Sequence, residues 1–463
     1  MTEQADVVVL GMGPGGEEVA GRLAEAGLDV VGIEGELLGG ECPYWGCVPS
    51  KMMIRAGNLL AETRRVPGMA GTSSVTPDWA PVAHRIREDA TDNWDDRVAV
   101  ERFEGKGGRF VRGRGRLDGP RRVVVNDDVV YEARRAVVVG TGDKPWAPPI
   151  PGLDDLKGQY WTNREAIEAE TLPSSMIVLG GGAIGVELGQ VFARFGVDVD
   201  IVEGADRLIP AEEPEAGGLL AAIFGREDIG VHTSAKITAA RRDGDGFALD
   251  IEGSKPVIGE KLLVATGRRP DLKSINASSI GVDENGKGLP TDEHLRVTDG
   301  VWAVGDVTGL GAFTHLSVYH ANIVVLDILG EDPPAAEYKA LPRVTFTDPE
   351  IGSVGLSEDQ ARQQGIHVHV GMTEVPSSAR GWIHRAGNEG FVKLVEDGER
   401  GVLVGATSAG PTGGEVLSML TLAIHAEVTT NRLRQMIYAY PTFHRAVEAA
   451  LGDLCMVDVP RPK

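Results

Sequence analysis

The sequence predicts an α/β chain in which one βαβ unit is used twice and is followed by an α+β segment. Three observations carry that reading: an internal repeat, a glycine pattern set at the same point of each copy, and a change to alternating strands from about residue 341. The stretch VVVLGMGPGGEEVAGRLAEAGLDVVGIEG (7–35) recurs 169 residues later as MIVLGGGAIGVELGQVFARFGVDVDIVEG (176–204). In each copy an apolar strand-like run meets G-x-G-x-x-G and an amphipathic helix comes next. A second strand then ends on an acid, Glu34 or Glu203, eighteen residues past the third glycine. That order is the Rossmann-like pattern of a dinucleotide-binding fold.

Glycine spacing alone proves little, because a chain with 62 Gly in 463 residues matches G-x-G-x-x-G by chance about once. The context decides. Gly11 and Gly180 allow the tight turn, Gly13 and Gly182 let backbone approach a pyrophosphate, and Gly16 and Gly185 let helix and strand pack closely. The helix N-terminus then offers free N–H groups and partial positive charge to the phosphates.

The remaining elements run in chain order. Residues 56–105 read as helices inserted in the first fold. AVVVGTGDKPWAPPIPG (136–152), with Thr141 and Gly142, and LLVATGRRP (262–270), with Gly267, are strand ends that close the two folds. GVWAVGDVTGLGAFTH (300–315) sets Asp306 at a strand end, where a carboxylate can hold a sugar-like hydroxyl. Beyond PRVTFTDPEIGSVGL (342–356) come alternating strands and a helix-rich tail, an α+β unit.

Composition excludes several classes. A formal charge of −22 opposes nucleic acid and anionic membrane surfaces alike. No stretch approaches the length of an apolar membrane span, and the first strand starts too early for a cleavable leader to precede it, so a cytoplasmic protein acting on small molecules is expected. Three cysteines in so long a chain are no secreted disulfide scaffold.

Two of the three sit in GGECPYWGCVPSK (39–51). In a regular helix, positions five apart are rotated by about 140° and rise about 7.5 Å, beyond the Cα separation of about 7 Å that a disulfide tolerates. If the thiols meet, the backbone between them is distorted, and Pro43, Gly46 and Pro49 supply that distortion. Redox chemistry, a structural bridge and metal binding are the available uses. A bridge closing so short a loop would contribute only about 2 kcal/mol, and a zinc site lacks further ligands, since His367 and His369 read as solvent-facing strand residues.

GGECPYWGCVPSK resembles GGTCLNVGCIPSK, the signature of the pyridine nucleotide-disulfide oxidoreductases. ATGRRP, AVGDV and FTDPEIGSVGL resemble, in the right order, that family's second nucleotide-domain exit, flavin-ribityl motif and dimerisation-domain opening. The resemblance implies an FAD-binding domain over 1–150 and 272–340, an NAD(P)-binding domain over 151–271 and a dimerisation domain over 341–463, in a homodimer. By the same likeness Glu34 holds the FAD ribose, Asp306 the ribityl chain, and Thr314 and His315 open a helix aimed at the flavin. Lys51, paired with Glu187, stands near the ring and the thiols. Electrons are expected to pass from NADH through flavin to a Cys42–Cys47 disulfide, with Cys47 the thiolate beside the flavin and Cys42 the interchange thiol. Glu203 favours NADH over NADPH, because a carboxylate binds ribose hydroxyls and repels a 2′-phosphate.

The chain departs from the family at its C-terminus. The disulfide reductases carry a His-Pro-Thr motif with a Glu five residues after the His; here YAYPTFHRAVEAAL (438–451) has Tyr440 in the His slot and Arg445 in the Glu slot. His444, expected in the helix after Pro441, is a displaced candidate base. Mercuric reductase also lacks that His but uses two adjacent C-terminal cysteines, where this chain has only Cys455, read as a buried thiol. Tyr44 and Trp45 between the thiols, together with Trp382, are expected to make an aromatic neighbourhood suited to a quinone. A small disulfide is therefore the first expected acceptor and a quinone or metal ion the second. A flavoprotein that senses NADH without turnover is the competing reading.

Overall fold

A computed structural model describes residues 2–454; Cys455 lies outside them. The chain begins with β1 (Thr2–Leu10), α1 (Pro14–Glu25) and β2 (Val30–Glu34). The valine-rich run of β1 is buried on both faces, as a strand flanked by parallel neighbours must be. Two helices come at once: α2 (Glu41–Tyr44), a single turn, and α3 (Cys47–Arg65). Residues 66–79 carry no helix, so the expected helical insertion is interrupted before Ala80. β3 (Arg109–Arg112) and β4 (Val129–Val139) complete this half, β4 pairing with β1 in parallel.

The second copy repeats the plan. A short helix α4 (Asn163–Ile167), opened by a Thr162–Glu165 capping box, leads to β5 (Ser175–Leu179), α5 (Ala183–Arg194) and β6 (Asp198–Val202). With β7 (Gly230–His232) and β8 (Lys261–Val264) they form a four-stranded parallel sheet in the order β7-β6-β5-β8. The chain then returns to the first sheet as β9 (Val301–Ala303), which adds in parallel to β4, giving β9-β4-β1-β2-β3 along its main path. Helix α6 (Thr314–Leu329) crosses back over α1.

The last unit is an antiparallel sheet: β10 (Pro342–Thr345), β11 (Glu350–Gly355), β12 (Val368–Glu374), β13 (Phe391–Asp397) and β14 (Val402–Gly410), ordered β10-β11-β14-β13-β12. Helices α7 (Gly413–His425) and α8 (Ala446–Leu454) cover it, with Leu417, Leu420, Val447 and Leu451 buried against Leu394 and Leu403. The expectation for His369 is corrected here: it is half-buried, with Nδ1 3.1 Å from the Glu396 carboxylate across the β12–β13 ladder. His367 is exposed.

The three units are knitted together near α3. Arg194 at the end of α5 is 2% exposed, and its guanidinium donates to Glu227, Asp348 and Asn58. A buried guanidinium is tolerated because every face of it is paired. Lys393 of β13 is likewise held by Glu213, Glu215 and Glu358.

Candidate active site

The glycines of both copies do what their positions demand. Gly11 and Gly180 have φ of 92° and 111°. A Cβ on Gly16 would stand 2.0 Å from the Gly11 carbonyl oxygen, and one on Gly185 would stand 2.0 Å from that of Gly180. Gly13 and Gly182, by contrast, face open space: the nearest atom to a Cβ would be 3.9 Å away in the first copy, and nothing lies within 4 Å in the second. Both are helix N-caps with no side-chain capping bond, so the first-turn N–H groups of α1 and α5 point outward unpaired by side chains.

The two acids are also twins. Glu34 accepts from the Met12 N–H at 2.9 Å and the Glu36 N–H at 2.8 Å, and Glu203 accepts from Gly181 at 2.6 Å and Ala205 at 2.7 Å. Each carboxylate rims its glycine loop, where a ribose would lie against a bound dinucleotide. Burial pushes the Glu34 carboxyl up despite the N–H groups that favour its charge.

Only the first copy continues into thiols. Gly40 begins α2, Trp45 ends it, and Gly46 turns the chain back so that Cys47 opens α3. Gly46 is required there by close approach: a Cβ would be 3.0 Å from the Glu41 oxygen and 3.3 Å from the Cys42 Cα. Cys42 and Cys47 are free in this structure, and the two thiols ionise as a coupled pair. The neighbouring Cys42 thiol is the main reason the Cys47 thiol is held below the ordinary cysteine range. The Thr314 hydroxyl, 3.4 Å from Sγ, and the Lys51 charge add to it against the cost of burial. Cys42 is pushed up by its neighbour Cys47 and by burial. The Thr314 hydroxyl and the Lys51 charge both lie on the Cys47 side, so the shared charge is favoured there.

Lys51 lies one helical turn after Cys47. Its Nζ is 2.8 Å from Glu187 of α5 and 4.7 Å from the Phe346 ring centre. Glu187 is buried, and its other oxygen accepts from the Phe346 N–H at 2.7 Å. Thr314 and His315 open α6, whose N-cap Phe313 contributes no side-chain bond; His315 Nε2 is 3.0 Å from the Pro342 carbonyl.

Asp306 lies just beyond β9, and burial raises its carboxyl to about 6 against the pull of Arg268. Beside it is Asp143, which sequence reasoning missed: burial and then the Asp306 charge raise it to about 7, and its Oδ1 is buried with no hydrogen-bond partner. The available signal was its place directly after Thr141 and Gly142 at the end of β4. Gly267 likewise leaves β8 and leads into Arg268, whose Nη2 donates to the Asp143 carbonyl at 2.6 Å. An open glycine cradle, unpaired helix N–H groups, a rimming acid and an orphaned carboxylate fit a dinucleotide in the first copy. The second copy repeats the cradle and the acid.

Two expectations need correction. Tyr44 and Trp45 are 6% and 9% exposed, so they are core and offer no aromatic surface to an acceptor; the Trp45 Nε1–H donates to Glu168 and the Arg164 guanidinium covers its ring at 4.2 Å. Trp382, at 77% exposed, is an open aromatic. His444 sits in the single 3-10 turn Phe443–Arg445 rather than in α8, with Nε2 3.4 Å from the Thr442 hydroxyl. Tyr440 is exposed, with the Arg445 guanidinium 5.5 Å from its ring centre and Arg445 paired to Glu448. Within one chain no hydrogen bond or ion pair among the described residues joins Tyr440 or His444 to either cysteine. No cluster of three or more metal-ligating side chains occurs among the described residues, and no helix there is long and apolar enough to cross a membrane.

Two dinucleotide-binding folds, one carrying a lysine-flanked thiol pair and both leading to an antiparallel sheet unit, are the architecture of a flavoprotein disulfide reductase. The family model described as pyridine nucleotide-disulphide oxidoreductase matches residues 5–322, and that of its dimerisation domain matches 341–451. The chain is 34% identical to dihydrolipoyl dehydrogenase of Halobacterium salinarum, over 96% of each chain. It is 32% identical to mercuric reductase of Streptomyces lividans, over 96% of this chain and 95% of that one. The HOCl-induced flavoprotein disulfide reductase RclA of Escherichia coli, solved as a Cu(II) complex, superposes with a TM-score of 0.85 at 23% identity over 97% of this chain and 99% of its own. LpdA of Mycobacterium tuberculosis superposes with a TM-score of 0.83 at 24% identity, over 97% of this chain and 99% of that one; both likenesses concern the fold. The chain belongs to the pyridine nucleotide-disulphide oxidoreductase family. It is an oxidoreductase, and its cofactors are the family's, FAD and a nicotinamide nucleotide.

Proposed function

We propose that this enzyme uses NADH to reduce a small disulfide through Cys42 and Cys47, as a homodimer. The observation that carries the reading is the placement of Cys47 at the start of α3, with the Thr314 hydroxyl 3.4 Å from its sulfur and Lys51, paired to Glu187, one turn on, surroundings that favour a thiolate there. The residues would divide between two cofactors and the thiol pair. Gly11, Gly13, Gly16, Glu34, Thr141, Gly142, Asp306, Thr314 and His315 hold FAD, and Gly180, Gly182, Gly185, Glu203 and Gly267 hold the nicotinamide nucleotide. FAD supplies the two electrons that open the Cys42–Cys47 disulfide. Lys51, steadied by Glu187, and the Thr314 hydroxyl keep Cys47 as thiolate. Cys42, passing its proton to the departing sulfur, attacks the substrate disulfide, breaking its S–S bond to form one mixed disulfide and release one thiol; the Cys47 thiolate then attacks the Cys42 sulfur, re-forms the pair and expels the second half as a thiolate that takes a proton from solvent.

The phenol at Tyr440 can protonate a departing thiolate, but a phenol lacks the basicity of the imidazole it replaces. Lipoamide and glutathione disulfide should therefore be turned over poorly, by about 10²–10⁴-fold against a His-containing relative. That deficit and the exposed Trp382 favour a second reading in which the acceptor is a quinone or a metal ion. Steady-state turnover with NADH against panels of disulfides, quinones and metal ions tests both readings. A disulfide used efficiently, with loss in Cys42→Ser, supports the first; quinone or metal turnover that survives Cys42→Ser favours the second.

A further inference from the structure

The segment between the cysteines is fastened at both ends by one side chain from the other dinucleotide fold. Asn163, the first residue of α4 and 8% exposed, directs its amide nitrogen to two acceptors: the Glu41 carboxylate at 3.0 Å and the Trp45 carbonyl at 2.7 Å. An amide nitrogen has two hydrogens, so each end of the Cys42 turn takes one. The orientation of the amide is set by its surroundings, because its oxygen faces the Arg268 guanidinium. Glu41, which occupies the place of the threonine in GGTCLNVGCIPSK, has its other oxygen on the Arg164 Nε at 2.8 Å.

We propose that Glu41 and Asn163 are positioning residues that hold the Cys42 turn against Cys47 after the disulfide has opened, and so set the thiol–disulfide equilibrium of the pair. The proposal rests on the redox reading of Cys42 and Cys47. Reduction breaks the Sγ–Sγ bond, consuming two electrons from the nicotinamide nucleotide by way of FAD and one proton, and leaves Cys42 as thiol and Cys47 as thiolate. Once the bond is broken, no covalent link but the backbone joins the sulfurs, and α2 is a single turn with a glycine at each border. Short of an outside tie, Cys42 would gain freedom on reduction, and that gain would favour the dithiol. The tie removes it, raising the effective concentration of one thiol at the other and favouring the disulfide.

The donors all lie in residues 163–268, outside the element they hold. A role in stability alone would arise from any such contact, so the test must read the equilibrium itself. Wild type, Asn163→Ala and Glu41→Gln holoenzymes are equilibrated with glutathione redox buffers, quenched by alkylation, and scored for Cys42 and Cys47 by mass spectrometry, with FAD content and melting temperature measured alongside. Asn163→Ala should shift the equilibrium toward the dithiol by about tenfold, equivalent to about 30 mV for a two-electron couple. Glu41→Gln, which keeps an acceptor for Asn163 but weakens the hold of Arg164, should shift it less in the same direction. An equilibrium unchanged in both variants, whatever happens to their melting temperatures, overturns the positioning role. A wild-type pair that forms no disulfide across the buffer range overturns the redox reading and the proposal with it.

Discussion

The two βαβ units at 7–35 and 176–204 share their glycine geometry almost atom for atom, yet they diverge beyond the second strand. After Glu34 the chain enters α2 and α3 with both thiols; after Glu203 it runs to the helix Pro214–Arg226 with no redox side chain. The same cradle stands in both copies, and only the first leads into a thiol pair, at a strand end where the βα loops of such sheets open.

The thiols are where that comparison breaks most sharply. Cys42→Ser and Cys47→Ser should each abolish reduction of any disulfide acceptor while retaining FAD and the first electron transfer from NADH. Flavin–thiolate absorbance should persist in Cys42→Ser, whose hydroxyl can still donate to Cys47, and vanish in Cys47→Ser. Retained disulfide turnover in either variant would place the chemistry elsewhere.

The next largest effects separate the two cradles. Gly16→Ala forces a Cβ onto the Gly11 carbonyl and Gly185→Ala forces one onto that of Gly180, and backbone cannot yield cheaply; overpacking of this kind costs about 1–3 kcal/mol or more. Gly16→Ala should purify with little flavin, read as absorbance per chain. Gly185→Ala should keep its flavin but require far more NADH to reduce it in rapid mixing. Loss of flavin in both would show that the copies do not bind separate cofactors.

This much was legible in the sequence because a backbone requirement maps onto one residue type at a fixed spacing: Gly11 and Gly180 answer a positive φ, Gly16 and Gly185 a close approach of the local chain, and Lys51 meets the Cys47 face by one helical turn. The antiparallel unit after residue 341 was legible from alternation. The features that stayed hidden depend on packing between distant segments. Nothing near Trp45 says that Glu168 and the Arg164 guanidinium will cover it, so aromatics between two thiols read as a substrate surface. Asn163 reaches Glu41 across 122 residues, and Asp143 is raised by burial and then by Asp306, which returns beside it from far along the chain. His444 read as helical because the alanine-rich stretch after it is helical, while the helix itself begins at Ala446.

A smaller effect concerns the twin acids. Glu203→Ala should narrow the preference for NADH over NADPH in kcat/KM, and Glu34→Ala should leave that ratio alone while weakening FAD retention. A wild type that favours NADPH would contradict the role given to Glu203.

The smallest expected effect lies in the pH dependence of Cys47. A thiol held below the ordinary cysteine range stays thiolate to lower pH than a free cysteine and regains its proton on further acidification, so flavin–thiolate absorbance should survive at neutral pH and fade as the pH falls. Cys42→Ala, which removes the main cause, should move that midpoint up furthest. Lys51→Met with Glu187→Gln, which removes the charge without orphaning the buried carboxylate, should move it up by less. A midpoint unmoved in Cys42→Ala would mean the thiols do not share a proton.

Anaerobic titration of the purified enzyme with NADH, monitored by flavin absorbance, tests most directly that the first cradle is wired to a redox pair and the second feeds it. The account predicts uptake of more than two electrons per flavin, with long-wavelength thiolate–flavin absorbance appearing first and flavin bleaching second. Bleaching that is complete after two electrons, with no long-wavelength band, would contradict it.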